Sequence, residues 1–505
     1  MKLFTTGQIK ELDAKTVVLE SITSVDLMDR AALALYKRII QKIRTTDTIL
    51  ILTGPGNNGG DGLALARMLL KAGYLVQTVL CHMNTLSNDA TVQLDRLQRI
   101  PAAELFNLKV VSDLSNFEGR TIIVDALFGS GLNRPLAGFY AEIVHWINRQ
   151  EAQILSIDLP SGLFGEDNSQ NIPENIVSAD LVFGLQFPRL SFLMSDNEHF
   201  IKEWELVDIG IHPGAIESIL TPYAYTEMKD ISTILKKRTR FSHKGTYGKG
   251  LLIAGSPGMM GAAILSSKGA LRSGIGLLTV RIPDSGVSIL QTTTPEAIVQ
   301  TYCSEGFFDD SEPIDLDDFS AIALGPGIRT GKSQASSLEN ILKRQPYPLI
   351  LDADALNLLA ENQSLLKMLP KNVVLTPHPK EFDRLTGKTA LTGYERLELA
   401  RTFASEYQVY IILKGSYTAC IGPDGSCHFN STGNPGMATG GTGDVLTGIV
   451  LSLLAQGYHP AEACKLGVYL HGLSGDLALK KQSQESLLAG DLIKNLGKAF
   501  TRLKS

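Results

Sequence analysis

Short β-branched runs alternate with amphipathic helical stretches in two successive series along this chain. That alternation restricts it to parallel sheets whose strands are joined by crossover helices. In the first series Thr48 to Thr53, Leu75 to Cys81, Thr121 to Leu127, Gln153 to Ile157 and Asp180 to Gln186 read as buried strands. Phe139, Ile143, Trp146 and Ile147 recur at helical spacing between the third and fourth, which gives one apolar face to lay on a sheet. The pattern fades through Ile211 to Thr226, where Pro213, Gly214 and Pro222 are expected to break any regular element. A second series starts at Gly250 and takes in Leu251 to Ala254, Leu277 to Ile282, Ala321 to Leu324, Leu349 to Leu351, Val373 to Leu375 and Tyr410 to Leu413. The expected fold class is α/β, with two doubly wound domains spanning residues 1–220 and 221–505.

Composition excludes several function classes. The 47 Lys and Arg against 52 Asp and Glu leave a net charge of −5, with no general pull toward nucleic acid or an anionic membrane. Five scattered cysteines (Cys81, Cys303, Cys420, Cys427, Cys464) form no C-x-x-C pair, so neither a disulfide framework nor a zinc site is expected, and a reducing cytoplasmic compartment is. Lys10, Glu11, Asp13 and Lys15 fall in the first turns, and no apolar run approaches 18 uncharged residues, so a signal peptide and a membrane span are not expected. A homo-oligomer is the general expectation for a soluble chain.

Gly54-Pro-Gly56-Asn-Asn-Gly59 fits G-x-G-x-x-G, follows an expected strand and opens a helix, the position of a nucleotide-phosphate loop. A hydride-transferring domain needs a carboxylate at the end of the next strand for the ribose hydroxyls. That strand ends Leu80-Cys81-His82-Met83, so the redox reading weakens. Oxygen-rich side chains instead gather at strand ends: Asn57, Asn58 and Asp61 after the first, Asp125 before Gly129-Ser-Gly131, and Asp158 before Pro160-Ser161-Gly162. Asn58, Asp125, Asp158 and Ser161 could converge there as ligands for a hard cation. The competing reading makes Asp125 and Asp158 caps of the turns that follow them.

In the second half, Thr439-Gly-Gly-Thr-Gly443-Asp444 runs directly into the apolar stripe Val445, Leu446, Ile449, Val450 and Leu453. A glycine turn at a helix start presents free N–H groups to an anion, and Asp444 in the first turn can accept a proton from a substrate hydroxyl. A plain N-terminal cap is the alternative for Asp444. Lys414 and Thr418 around a turn suit nucleotide phosphates or ribose, Thr376-Pro-His378-Pro-Lys-Glu381 is expected to direct His378 and Glu381 into the crevice, and Gly325 to Gly327 and Gly255 to Gly261 offer close-approach backbone. The charge run Lys236, Lys237, Arg238, Arg240 and Lys244 is either a solvated face or a phosphate contact beside the turn Gly245 to Gly250.

Taken in order, Asn57-Asn-Gly-Gly-Asp61, Asp125, Gly129 to Pro135, Asp158-Leu-Pro-Ser161, Thr376 to Glu381, Lys414-Gly415 and Gly440-Gly-Thr-Gly-Asp444 resemble the bifunctional NAD(P)H-hydrate repair enzymes over nearly the whole chain. The resemblance implies a Rossmann-like epimerase domain fused to a ribokinase-like dehydratase domain. The first would interconvert the R and S forms of NADH and NADPH hydrated at C6, and the second would dehydrate the S form using ADP or ATP, with ADP favoured by the similarity to bacterial members. It further implies that Asn57, Asn58, Gly59, Gly60, Asp61, Gly129, Ser130, Gly131, Leu132, Asn133, Arg134, Pro135 and Asp158 contact the hydrate, and that Asn58, Asp125 and Ser161 hold K⁺. In the second domain it assigns Ala262, Gly327, His378 and Asp444 to the hydrate and Lys414, Gly415, Ser416, Tyr417, Thr418 and Gly443 to the nucleotide. Asp158 and Asp444 are the catalytic candidates. Mg²⁺ is expected with the nucleotide, with Glu381 as an indirect ligand. Met259-Met260 stands where the family pattern leads one to expect an aromatic residue. The residues alone also allow a small-molecule alcohol kinase whose first domain only binds.

Overall fold

The computed structural model describes residues 1–81, 85–117, 119–302, 308, 315–344 and 348–504. Cys303 and the His82-Met83 end of the second expected strand lie outside them. The chain divides into two compact units, Lys2–Thr221 with Leu391–Tyr394, and Pro222–Ala390 with Glu395–Ser505 and Met1.

The first unit is built on seven parallel strands: β1 (Thr48–Thr53), β2 (Leu75–Leu80), β3 (Glu104–Asn107), β4 (Ile122–Ala126), β5 (Gln153–Ile157), β6 (Ala179–Leu185) and β7 (Ile201–Val207), in the order β3-β2-β1-β4-β5-β6-β7. β1 and β4 are buried along nearly their whole length because helices cover both faces, which is why they read as continuous apolar runs. β3 and β7 escape that reading. Both are edge strands with solvated positions, and Lys202, Glu203 and Glu205 interrupt β7. The order reverses between β1 and β4, and there the carboxyl ends of adjacent strands open a crevice.

Among the described residues the second unit holds ten strands: β8 (Tyr223–Thr226), β9 (Lys249–Ile253), β10 (Leu277–Pro283), β11 (Ile298–Tyr302), β12 (Ala321–Leu324), β13 (Leu349–Leu351), β14 (Val374–Leu375), β15 (Tyr410–Leu413), β16 (Ala419–Ile421) and β17 (Cys427–Asn430). Their order is β11-β10-β9-β12-β13-β14-β15-β16-β17-β8. The stretch β11 to β15 is parallel, β16 runs antiparallel to both neighbours, and β17 pairs in parallel with β8. The switch point lies between β9 and β12. The helix Thr442–Ala455 crosses this unit with every residue from Val445 onward buried, the all-round apolar pattern of a core helix.

The expectation that Ile211 to Thr226 lacks regular structure is corrected. Pro213 occupies the first turn of the helix Pro213–Ser218, where its missing N–H costs nothing, and β8 follows.

Candidate active sites

The loops leaving β1 and β4 frame a cavity of about 400 Å³ in the first unit. The first loop enters the helix Asn57–Lys71 with Gly56 at the N-cap and no capping side chain, so N–H groups of the first turn remain free for an anion. Gly59 lets this turn close: a β-carbon there would lie 1.9 Å from the Gly54 carbonyl oxygen.

Asp125, fully buried at the end of β4, accepts Ser161 Oγ at 2.5 Å, the Ser161 N–H and Ser156 Oγ at 2.8 Å, and the Leu127 N–H at 3.2 Å. Burial holds its carboxyl above the usual range, and these bonds offset only part of that rise. The turn-capping role and the partnership with Ser161 are therefore both realised. Asn58 is different. Its side-chain oxygen and nitrogen are buried without a partner, a condition that costs roughly 1–3 kcal/mol per group. An amide oxygen, a hydroxyl and a single carboxylate suit a hard ion of low charge, and among the described residues no group of three or more His, Cys, Asp or Glu could hold a metal.

Asp158 follows β5 with φ +66°, left-handed backbone that a residue other than glycine adopts only under constraint. The constraint is visible. One carboxylate oxygen pairs with the buried guanidinium of Arg189, and the other accepts the Ser130 N–H at 2.8 Å. A β-carbon on Gly129 would lie 2.7 Å from Asp158 Oδ2 and 3.0 Å from Asn58 Oδ1, so both side chains converge on that glycine. Asp13 and Asp61 complete the acidic wall. Burial pushes Asp13 up to about 6, with Arg189 opposing and Asp158 adding, and burial with the charge of Asp158 holds Asp61 well above the usual carboxylate range.

Asn57, Asn58, Asp61, Gly129, Ser130, Gly131, Leu132 and Asp158 all line this cavity. Gly59 and Gly60 instead pack behind it, Gly60 against Met28, while Asn133, Arg134 and Pro135 continue the loop outside the lining. Asp13 and Arg189 were not singled out in the sequence. Asp13 had a signal, a carboxylate among the inward positions Ile9, Leu12 and Thr16 of the helix Thr6–Glu20. Arg189 had none.

In the second unit, strand ends again supply the site. Asp352, directly after β13, is fully buried and accepts Lys414 Nζ at 3.1 Å and Thr447 Oγ at 2.5 Å. Burial alone would raise it, but the Lys414 ammonium and the Thr447 hydroxyl hold its carboxyl below the ordinary value. Burial opposes the charge on Lys414, yet Asp352 and Glu381 keep it firmly protonated. Lys414 is thus fixed at the carboxyl end of β15, where a β-carbon on Gly443 would lie 3.6 Å from its Nζ.

Gly441, at φ +89°, is the N-cap of the helix Thr442–Ala455, with no side-chain capping bond. A β-carbon there would also meet Leu265 at 2.4 Å. Asp444 therefore does not cap the helix. Burial and the nearby Asp352 charge raise its carboxyl to about 7, with Lys414 opposing. His471, neutral because burial lowers it to about 4, bonds the Thr442 carbonyl at 2.9 Å and braces the turn from below.

Gly327 and Ala262 come together, since a β-carbon on Gly327 would lie 3.3 Å from the Ala262 methyl. Met259 sits against the same glycine and caps the helix Met260–Arg272, whereas Met260 is buried. Lys414 to Thr418 forms a closed turn, with the Thr418 hydroxyl bonded to both the N–H and the carbonyl of Gly415. Gly415 and Ser416 are exposed, and Tyr417 is half-buried. His378 and Glu381 sit beside Lys414 at the same strand ends. They form a reciprocal cap on the helix Pro379–Thr386, which occupies His378 Nδ1 and leaves its ring 44% exposed, while Glu381 is buried 3.7 Å from Lys414. The charge run at Lys236 precedes the amino end of β9, opposite the carboxyl ends that carry Asp352 and Lys414, so it makes no contact with that crevice.

Residues 250–498 match the family described as NAD(P)H-hydrate dehydratase, and residues 24–191 the family described as YjeF-related protein N-terminus. A bifunctional NAD(P)H-hydrate repair enzyme of Moorella thermoacetica is 34% identical over 508 residues, covering 98% of this chain and 95% of that one. The chain belongs to the bifunctional NAD(P)H-hydrate repair enzyme family. Another relative among these repair enzymes, from Coxiella burnetii, is 33% identical over 498 residues and covers 98% of both chains. Among solved structures, the ADP/ATP-dependent NAD(P)H-hydrate dehydratase from Bacillus subtilis, co-crystallised with ATP and Mg²⁺, is 36% identical with a TM-score of 0.50, covering 55% of this chain and 98% of that one. The expected fold class, a Rossmann-like domain followed by a ribokinase-like domain, is the one found in this repair enzyme.

Proposed function

We propose that this chain repairs hydrated nicotinamide cofactors at two active sites. Residues 1–220 exchange the R and S forms of NADH or NADPH hydrated at C6, and residues 221–505 dehydrate the S form at the expense of ADP or ATP. Full-length similarity to bifunctional repair enzymes carries this reading. The geometry supports it, since each unit has a crevice at its switch point with a proton-accepting carboxyl beside free helix N–H groups.

In the second site Asp444 draws the proton from the C6 hydroxyl while the N–H groups of Gly440 to Gly443 and the ammonium of Lys414 hold the phosphoryl group in transfer. Phosphorylation converts a poor leaving group into a good one, and elimination then restores the reduced ring. Lys414 to Thr418 and Gly443 hold the nucleotide, Ala262, Gly327 and the exposed ring of His378 border the hydrate, and Asp352 positions Lys414. Mg²⁺ accompanies the nucleotide and offsets its phosphate charge, as its presence with ATP in the Bacillus subtilis relative supports.

In the first site the free N–H groups after Gly56 receive substrate phosphate, and Asn57, Asp61, Gly129 to Leu132 and Asp158 surround the ring. Asn58, Asp125 and Ser161 would hold K⁺, and the orphaned Asn58 amide supports that ligand set. The ion supplies a fixed positive charge for oxygen atoms. The buried, unpaired thiols Cys81, Cys420, Cys427 and Cys464 fit the cytoplasmic compartment.

The deciding experiment mixes the purified protein with R and S hydrates, with and without ADP or ATP, and follows recovery of the reduced nicotinamide absorbance. Epimer exchange without nucleotide and full recovery with it are expected. A phosphorylated alcohol accumulating with no action on the hydrate would establish the kinase reading instead.

A further inference from the structure

Epimerising a carbon that bears both a ring nitrogen and a hydroxyl allows two routes. Breaking C6–O produces an iminium ion, and loss of a C5 proton from that ion gives the reduced nicotinamide directly. The second site spends a nucleotide on that outcome. A site that exchanges epimers without passing through that ion breaks the other bond, N1–C6, and keeps the oxygen. This requires a proton to leave the C6 hydroxyl while another reaches N1, which a single carboxylic acid performs when both of its oxygens are free.

Three carboxyls line the first cavity, and their surroundings separate them. Both oxygens of Asp158 are already engaged, one by Arg189 and the other by the Ser130 N–H, which hold it as an orienting group. Asp61 is 8% exposed within the helix Asn57–Lys71. Asp13 lines the cavity from the helix Thr6–Glu20, and among the described residues its carboxyl has no hydrogen-bond or ion-pair partner. The charged groups around it are Lys10 on its own helix, Asp61, Asp158 after β5 and Arg189 after β6.

We propose that Asp13 is the catalytic residue that carries the proton between the C6 oxygen and the ring nitrogen during epimer exchange. The inference rests on the epimerase reading given above. In the step, the Asp13 carboxylic acid gives its proton to N1 as the N1–C6 bond breaks, and its second oxygen takes the proton of the C6 hydroxyl. The C6–O bond becomes a carbonyl. One C–N and one O–H bond break, one N–H and one C–O π bond form, and the carboxyl ends as it began. Rotation about C5–C6 and reversal of the step close the ring on the opposite face. Asp158, held by Arg189 and the Ser130 N–H, orients the ring. Burial supports the assignment by keeping the acid form of Asp13 populated up to about pH 6.

Epimer exchange by the full-length protein, followed without nucleotide by chromatography of the two hydrates, tests this. Asp13→Asn is expected to slow exchange by on the order of 10² to 10⁴, while nucleotide-dependent dehydration of the pure S hydrate stays at the wild-type rate. Formate added to Asp13→Ala should restore part of the exchange, a response that a purely structural role would not give. Wild-type exchange should fall as pH rises above about 6, a readout that needs no variant to fold. Exchange in Asp13→Asn at the wild-type rate, no restoration by formate, or a wild-type rate that climbs with pH would each overturn the assignment. A wild-type protein with no exchange at all would instead remove the epimerase reading beneath it.

Discussion

Replacing Asp444 by Asn separates catalysis from stability, because the structure predicts that it harms one and helps the other. The Asp444 carboxyl is raised from 3.8 to about 7, a rise of about three units. At about 1.36 kcal/mol per unit, the ionised side chain costs the folded state at most roughly 4 kcal/mol. The folded state favours the acid form, so that cost is absent below the unfolded value of 3.8, grows as pH rises, and is complete above about 7. Asn has nearly the same shape and no charge, and it removes no cap, since Gly441 is the N-cap and no side chain bonds there. Thermal unfolding at pH 7.5 should therefore show Asp444→Asn more stable by several degrees, taking roughly 2–4 °C per kcal/mol for a unit of this size. At pH 4 the two proteins should melt together. Nucleotide-dependent dehydration should fall by on the order of 10² or more with nucleotide affinity retained. A variant that melts below wild type at pH 7.5, with activity reduced only in proportion to the folded fraction, would refute this account and make Asp444 structural.

Two further outcomes follow from the first site. Arg189→Met leaves the Asp158 charge buried without its partner, so chemical denaturation should show a loss of roughly 3–5 kcal/mol in the first unit, and Asp158→Asn combined with Arg189→Met should recover much of it. Epimer exchange should depend on K⁺ over Na⁺ or Li⁺, and Asn58→Ala should abolish that dependence while leaving nucleotide-dependent dehydration intact; equal exchange in all three ions would remove the metal from the site.

Central strands were legible because burial on both faces writes itself as an unbroken apolar run, as in β1 and β4. Edge strands were not, since a strand with one wet face mixes Lys and Glu into its sequence, as β7 does, or is as short as β3 and β8. The same contrast governs the sites. Asp125 and Asp158 could be read because each ends a recognisable strand and leads into a glycine turn. Asp352 ends a strand too, but β13 is three residues long and no glycine follows it. Asp13 reaches its cavity from a helix about 145 positions before Asp158; its inward place beside Ile9, Leu12 and Thr16 marks it as buried-facing, but not which strand ends it meets. His378 carries a second task that its context also encodes: Pro379 starts a helix that the His378 ring caps through Nδ1, while the ring stays 44% exposed.

The two sites use one physical device for opposite chemistry, which gives the last prediction. In both, burial raises a carboxyl toward neutrality, Asp13 to about 6 and Asp444 to about 7. The first is needed as the acid, because it must deliver a proton as the ring opens. The second is needed as the base, because it must accept one as the hydroxyl is phosphorylated. Epimer exchange should therefore decline as pH rises through about 6, and dehydration of the S hydrate should rise as pH passes through about 7. With pure R hydrate and saturating nucleotide the two steps run in series. Recovery is then limited by dehydration at low pH and by exchange at high pH, so its rate should pass through a maximum between the two limbs. Pure S hydrate bypasses the first site and should show only the rising limb. A bell-shaped profile for R with a single rising limb for S assigns the falling limb to the first unit, and Asp444→Asn should depress the rising limb of both. Identical profiles from the two epimers would mean that exchange never limits recovery, and the acid role of the first site would have to be abandoned.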